Sequence, residues 1–145
     1  MGQIKVHVGL NTEKFAESVE FYKQFFGKEP VKLKPGYAKF DIDKPGLNFT
    51  LYEGKVPQQG ALNHLGIQVE NTDDVVAATA RLKSAGLITR EELGTDCCYA
   101  LQDKVWVTDP NGYQWEFFTV KVADTRPDLQ TDMPTSAVAS AGCCK

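Results

Sequence analysis

Two stretches decide the fold: QIKVHVGL at residues 3–10 and ALNHLGIQVE at residues 61–70. In the first, Val6, Val8 and Leu10 alternate with Lys5, His7 and Gly9; in the second, Leu65, Ile67 and Val69 alternate with His64, Gly66 and Gln68. A period of two is the mark of a half-buried strand. Each strand leads into a helical pattern. After Asn11 and Thr12, which offer N-cap side chains, EKFAESVEFYKQFFG carries one apolar stripe at 15, 19, 22 and 25 or 26 and stops at Gly27. After Asn71 or Thr72 as cap, DDVVAATARLKSA runs to Gly86.

Three short extended pieces follow each helix. In the first half these are PVKLK, YAKFDID and LNFTLYEG, with a Lys44-Pro45-Gly46 turn before the last. In the second half they lie near 87–93, 99–108 and YQWEFFTV, with the turn Asp109-Pro110-Asn111-Gly112 before the last. The chain thus reads strand, helix, three strands, twice over, in units of roughly 55 residues. The fold class expected is α+β, two tandem βαβββ modules at about 3–54 and 61–122 forming one domain over residues 1–122. GKVPQQG, residues 54–60, reads as a surface linker, and residues 123–145, rich in Pro, Ser, Thr and Asp, as a mobile tail.

Composition narrows the function. At 145 residues, 42% hydrophobic and 24% charged, the chain has the make-up of an ordinary globular domain. Its net charge of −3 and lack of a basic run speak against nucleic acid and anionic membrane as partners. Apolar runs are too short for a membrane span, and the N-terminus lacks a signal-peptide pattern, so the expected location is cytoplasmic, as a monomer or homodimer. The four cysteines form two adjacent pairs, Cys97-Cys98 and Cys143-Cys144. Neighbouring Cα atoms stand about 3.8 Å apart, less than ordinary disulfide geometry needs. In a reducing cytosol the pairs are free thiols and candidate ligands.

Superposing the repeats puts His7 and His64, the only histidines, at one equivalent position and sets Thr50 against Glu116. A strand histidine alone is more often a surface or core residue; equivalence in a repeat makes both candidate metal ligands. Glu116 stands among Trp115, Phe117 and Phe118, where a buried carboxylate is costly unless something positive meets it. Two imidazoles and one carboxylate suit non-haem Fe(II) with open positions; ligand identity also admits Mn(II), Ni(II) or Zn(II). The want of a strong fourth ligand favours a catalytic metal over a structural one. Cys97-Cys98 follows Gly94-Thr95-Asp96, which predicts a loop, and paired thiolates prefer soft ions such as trivalent arsenic, Cd(II) or Cu(I).

Up to about residue 122 the chain resembles the vicinal oxygen chelate superfamily, which includes glyoxalase I, extradiol dioxygenases and fosfomycin-resistance enzymes. The resemblance rests on the repeated unit, on His7 and His64, and on DPNGYQWEFF (109–118), a D-P-x-G-x-x-W-E ending common to such modules. It implies a cupped mixed sheet with a metal at its centre. Together with Cys97-Cys98 and the Cys143-Cys144 tail, it looks like the organoarsenical carbon–arsenic lyase branch, near cadmium-induced proteins of similar plan. That branch implies Fe(II) on His7, His64 and Glu116, dioxygen as co-substrate, and a trivalent organoarsenical on Cys97 and Cys98, with arsenite released. Tyr99 and Lys104, read as lying on the same loop, are candidates for shaping or closing the site. The alternatives are a metal-dependent thiol transferase of the fosfomycin-resistance kind, and a non-enzymatic arsenic- or cadmium-binding protein.

Overall fold

A computed structural model of the chain describes residues 5–56, 60, 62–97, 100–125 and 127–128, with Cys97 described by its backbone alone. In order, the elements are β1 (Val6–Thr12), α1 (Phe15–Phe26), β2 (Lys32–Lys34), β3 (Tyr37–Ile42) and β4 (Leu47–Glu53). Then come β5 (Leu65–Gln68), α2 (Thr72–Ser84), β6 (Thr89–Cys97), β7 (Ala100–Thr108) and β8 (Gln114–Val122). They form two four-stranded mixed sheets, ordered β1-β4-β3-β2 and β5-β8-β7-β6. In each, the first strand lies parallel to the last, so the helix serves as the crossover that a parallel pair requires.

The chain divides into two compact units. The first holds the residues up to 61 and takes back Thr108–Tyr113, the turn between β7 and β8; the second holds Leu62–Val107 and the chain from Gln114 onward. The first unit is aromatic at heart. Tyr22 and Phe25 on α1 pack with Phe26 onto Phe40 and Phe49, the Tyr22 and Phe49 rings lying 4.4 Å apart. The helical stripe forms, and Gly27 ends it in the left-handed region (φ 65°), its N–H donating to the Lys23 carbonyl. The N-terminus differs from expectation. Neither Asn11 nor Thr12 caps it; instead Thr12 Oγ1 accepts from the Lys14 N–H at 2.9 Å, one step before the helix begins. The aliphatic row of β1 is graded: Leu10 is buried, but Val6 is 66% exposed.

The turn returned to the first unit is held by its Asp109 carboxylate. Oδ1 accepts the N–H groups of Asn111 and Tyr113, both at 2.8 Å, closing the turn on itself. Oδ2 accepts the Tyr22 hydroxyl at 2.7 Å, and Asn111 Oδ1 accepts from Thr12 at 2.6 Å. Thus the D-P-N-G motif is a structural clasp: its carboxylate closes the turn and ties it to α1.

In the second unit the buried apolar residues are Val75, Ala78 and Leu82 of α2 and Ile67, Val105, Val107, Trp115 and Phe117 of the sheet. Asn71 is the cap, its side chain accepting the Asp74 N–H at 3.0 Å, as one of the two expected residues. The largest departure from expectation lies at 94–97. The glycine-led stretch read as a loop is strand: β6 runs to Cys97, with Thr95, Asp96 and Cys97 paired to Gln102, Leu101 and Ala100. Turn-forming residues are accommodated there by an irregularity between Glu92 and Thr95, where Gly94 takes φ 62°. Asp103, 2% exposed, fastens this place: Oδ1 accepts the Gly94 N–H at 2.6 Å and Oδ2 the Thr72 hydroxyl at 2.5 Å. Cys98, Tyr99, Cys143 and Cys144 lie outside the described residues.

Two stability measurements follow from these clasps. Tyr22→Phe leaves the buried Asp109 carboxylate short of a donor and is expected to cost about 1.5–3 kcal/mol by urea unfolding; an unchanged midpoint would show the clasp to be idle. The Thr72 hydrogen bond, supported by the Gly94 N–H and Lys121, holds the Asp103 carboxyl below its ordinary value of 3.8 against the opposing effect of burial. A depressed folded value stabilises fully above the unfolded one and is lost as pH falls through the folded one. The stability gap between the native protein and Asp103→Asn is therefore expected to be widest near neutrality and to close below pH 3.8.

Candidate functional site

The ladders align the repeat residue for residue. Gly9 on β1 faces Thr50 on β4, and Gly66 on β5 faces Glu116 on β8. Both histidines therefore stand two residues before equivalent glycines, His7 within β1 opposite Asn48, His64 just ahead of β5. The glycines are needed for space. A Cβ on Gly66 would lie 2.9 Å from Glu116 Cγ and 3.3 Å from the Phe118 ring, while one on Gly9 would meet Thr50 Oγ1 at 3.2 Å and the Tyr52 ring at 3.1 Å. In the second unit the room left by the glycine is taken by a carboxylate. In the first it is taken by a hydroxyl, which donates weakly to the Val8 carbonyl at 3.5 Å.

Alternation puts Trp115 and Phe117 on the core side of β8, where Arg81 of α2 lies over the Phe117 ring, and Glu116 on the side away from α2. Glu116 is 6% exposed and has two charged or basic neighbours: His64 Nε2 at 3.4 Å from Oε1, and Lys104 Nζ at 3.0 Å from Oε2. Lys104, 1% exposed, is not on a loop as the sequence suggested. It is central in β7, with its ammonium 5.4 Å from the Trp106 ring centre and 6.0 Å from that of Phe118. Its approach to Glu116 is a charge contact and not a directed bond, since Oε2 has no hydrogen-bond partner among the described residues. Glu92 Oε2, Gln102 Oε1 and Trp106 Nε1 are likewise buried and unpartnered there. Buried polar atoms are ordinarily satisfied, so a buried carboxylate oxygen left without a hydrogen-bond donor marks Glu116 as a place for something else to enter.

The His64 ring is fixed from both sides. Its Nδ1 lies 2.6 Å from Asn63 Oδ1 and its plane stands edge-on to Trp106, ring centres 5.1 Å apart. In the tautomer that donates Nδ1–H to Asn63 Oδ1, Nε2 presents its lone pair toward Glu116. Two acceptors facing each other at 3.4 Å suit a cation that both can bind, and an outer partner on the far nitrogen is the usual companion of a metal-binding imidazole. His64 and Glu116 thus fit a metal as donors. Among the described residues of this unit no further His, Cys, Asp or Glu completes a set of three. His7, exposed on β1, belongs to the first unit. Of the cysteine pair, the backbone at 97 ends β6, and Cys98 and Tyr99 are outside the described residues.

Sequence reasoning passed over Asn63, Gly66, Trp106 and Asp103. Gly66 had a signal, its repeat with Gly9; Asn63 had only its place beside His64. Trp106 and Asp103 had none, because alternation in a strand buried on both faces carries no mark of which side holds the site.

Comparison with known proteins agrees with this architecture. The model of the Glyoxalase/Bleomycin resistance protein/Dioxygenase superfamily matches residues 5–117. A "Trivalent organoarsenical cleaving enzyme" of Bacillus sp. (strain MD1) is 49% identical over 133 residues, which is 91% of this chain and 81% of that protein. The "Cadmium-induced protein CadI" of Mycobacterium tuberculosis (strain ATCC 25618 / H37Rv) is 47% identical over 116 residues, 80% of this chain and 76% of that one. Among solved structures, a glyoxalase/bleomycin resistance protein/dioxygenase from Alicyclobacillus acidocaldarius superposes with a TM-score of 0.65 at 14% identity, covering 81% of this chain and 92% of that one. The fosfomycin resistance protein FosX from Listeria monocytogenes gives 0.61 at 20% identity, covering 82% and 94%. At such identities these two speak for the fold alone. With two β-α-β-β-β units and a family match over most of its length, the chain belongs to the glyoxalase/bleomycin resistance protein/dioxygenase superfamily.

Proposed function

We propose that this protein is an Fe(II)-dependent dioxygenase that cleaves the carbon–arsenic bond of trivalent organoarsenicals and releases arsenite. The relatives named as organoarsenical cleaving enzymes, at 46–49% identity, support the substrate class. The metal part is supported by one observation: His64 Nε2 lies 3.4 Å from Oε1 of the buried Glu116 carboxylate, whose other oxygen has no hydrogen-bond partner among the described residues. His64 and Glu116, with His7 as the third ligand, would hold the iron, which when bound supplies a place for dioxygen to bind and be activated.

The chain's own residues do the rest. Cys97 and Cys98 bind the substrate: a trivalent arsenic bearing one organic group and two hydroxyls exchanges each As–O bond for an As–S bond, and each hydroxyl leaves as water with the proton of the incoming thiol. Sulfur selects arsenic over the hard ions that suit the carboxylate. Trp106 and Phe118 lie against the Lys104 ammonium beside the buried Glu116 carboxylate, and burial strengthens the charge interaction between the two. Lys104 balances that carboxylate. Tyr99, next to the cysteines, shapes the substrate end of the site.

The reading is tested by loading the protein anaerobically with Fe(II) and methylarsenite, admitting oxygen and assaying arsenite. Release that needs both iron and oxygen is expected; tight stoichiometric arsenic uptake without turnover would make it a binding protein instead. Serine at Cys97 or Cys98 is expected to abolish arsenical binding and spare iron, and His64→Ala to do the reverse. Gly66→Ala, which pushes a methyl group against Glu116, is expected to weaken Fe(II) binding by about tenfold or more in a metal titration. Gly9→Ala, pressing on a threonine instead, should leave that titration unmoved.

A further inference from the structure

A histidine that binds metal through one ring nitrogen ordinarily donates the N–H of the other to an acceptor, which fixes the tautomer and the ring. The two units differ in where that acceptor can come from. In the second it is the preceding residue, Asn63, whose Oδ1 lies 2.6 Å from His64 Nδ1. His7 stands between Val6 and Val8, so neither neighbour along the chain can do the same. Directly across the ladder from His7, however, is Asn48 of β4. Its Oδ1 is buried and has no hydrogen-bond partner among the described residues. In the second unit the matching place, two residues before Glu116, belongs to Gln114.

The first unit puts ring and amide on one face. A Cβ on Gly9 would meet the side chains of Thr50 and Tyr52, so this face of β1 and β4 is shared by Gly9, Thr50 and Tyr52. His7 and Asn48 lie two residues earlier on the same strands, hence on the same face, opposite to the one on which Phe49 packs with Tyr22 of α1. Neighbouring strands run about 4.8 Å apart. Histidine Nδ1 and asparagine Oδ1 each stand two bonds beyond Cβ, so an opposed pair can close an N–H···O bond near the backbone while Nε2 projects outward. On its far side Asn48 pairs with Asp41 of β3, which Lys5 holds in an ion pair. A carboxylate only accepts, so it favours the Asn48 NH2 group on its own side and leaves the carbonyl oxygen for His7.

We propose that Asn48 is a positioning residue for the metal site: its Oδ1 accepts Nδ1–H of His7 and holds the imidazole in the tautomer whose Nε2 is free to bind a metal. This rests on His7 being a ligand. The oxygen is unpartnered in this structure, and rotation of the exposed His7 side chain, with no shift of either strand, brings the ring to it. Asn48 touches neither metal nor substrate and acts through the ring.

The chain has two histidines, so each imidazole can be followed separately. Asn48→Ala, Asn48→Val, Asn48→Asp, Asn63→Ala and His7→Ala are compared with the native protein by anaerobic Fe(II) titration. On the Zn(II)-loaded proteins, 15N NMR of the imidazoles reads tautomer and Nδ1–H exchange. Asn48→Ala is expected to weaken Fe(II) binding by about tenfold and to speed exchange of the His7 Nδ1–H by a similar factor, with the His64 signal unmoved. Asn48→Val should match it and carries the test if the alanine variant does not fold. Asn48→Asp keeps an acceptor and should restore both readouts. Asn63→Ala should speed exchange at His64 alone. Native-like Fe(II) affinity, or native-like His7 exchange, in whichever of Asn48→Ala and Asn48→Val folds overturns the proposal. So does faster exchange at both histidines in that variant, which marks general loosening, or failure of Asn48→Asp to restore either readout. If His7→Ala binds Fe(II) as the native protein does, the ligand assignment falls and this proposal with it. A loss in His7→Ala with the Asn48 variants unmoved overturns this proposal alone.

Discussion

A carboxylate taken out of water must meet positive charge or hydrogen-bond donors, and the second unit is arranged around that demand at Glu116. Its β8 neighbours Trp115 and Phe117 face the core, which leaves Glu116 on the other side of the sheet. Gly66, having no Cβ, gives it room, and Lys104 and His64 stand against its two oxygens. None of these contacts saturates it. A carboxylate kept buried and under-coordinated has a cost in stability, and such a cost is ordinarily carried at a functional site.

The two halves of the chain show how one plan yields different ends. Their ladders match so closely that Gly9 and Thr50 repeat Gly66 and Glu116. In the first half the glycine admits a hydroxyl, a poor ligand, and the unit devotes its polar groups to the Asp109 clasp on Tyr22. In the second it admits an acid. The remaining asymmetry is the extra residue in β6, which has no counterpart in the short β2 and shifts the ladder in front of the cysteine pair.

Much of this was legible in the sequence. Alternation at 3–10 and 61–70, each followed by a helical stripe and three short extended runs, determined the α+β class and the repeat. The equivalence of His7 with His64 and the acid amid aromatic residues determined which residues were candidates for metal chemistry. These signals are local: period, turn residues and order along the chain are written in the residues themselves.

The tertiary structure decided what depends on partners distant in sequence. Gly94-Thr95-Asp96 reads as a loop by composition, and only the carboxylate of Asp103, reached across the ladder, turns it into a bulged strand. Lys104 reads as a loop residue until pairing buries it beside Glu116. Asp109 becomes a clasp for Tyr22 only once the chain has folded back on itself. A sequence fixes periodicity because neighbouring side chains project at set angles along a regular backbone. Which face is core and which carries chemistry is settled by what packs against each, and that exists only in three dimensions.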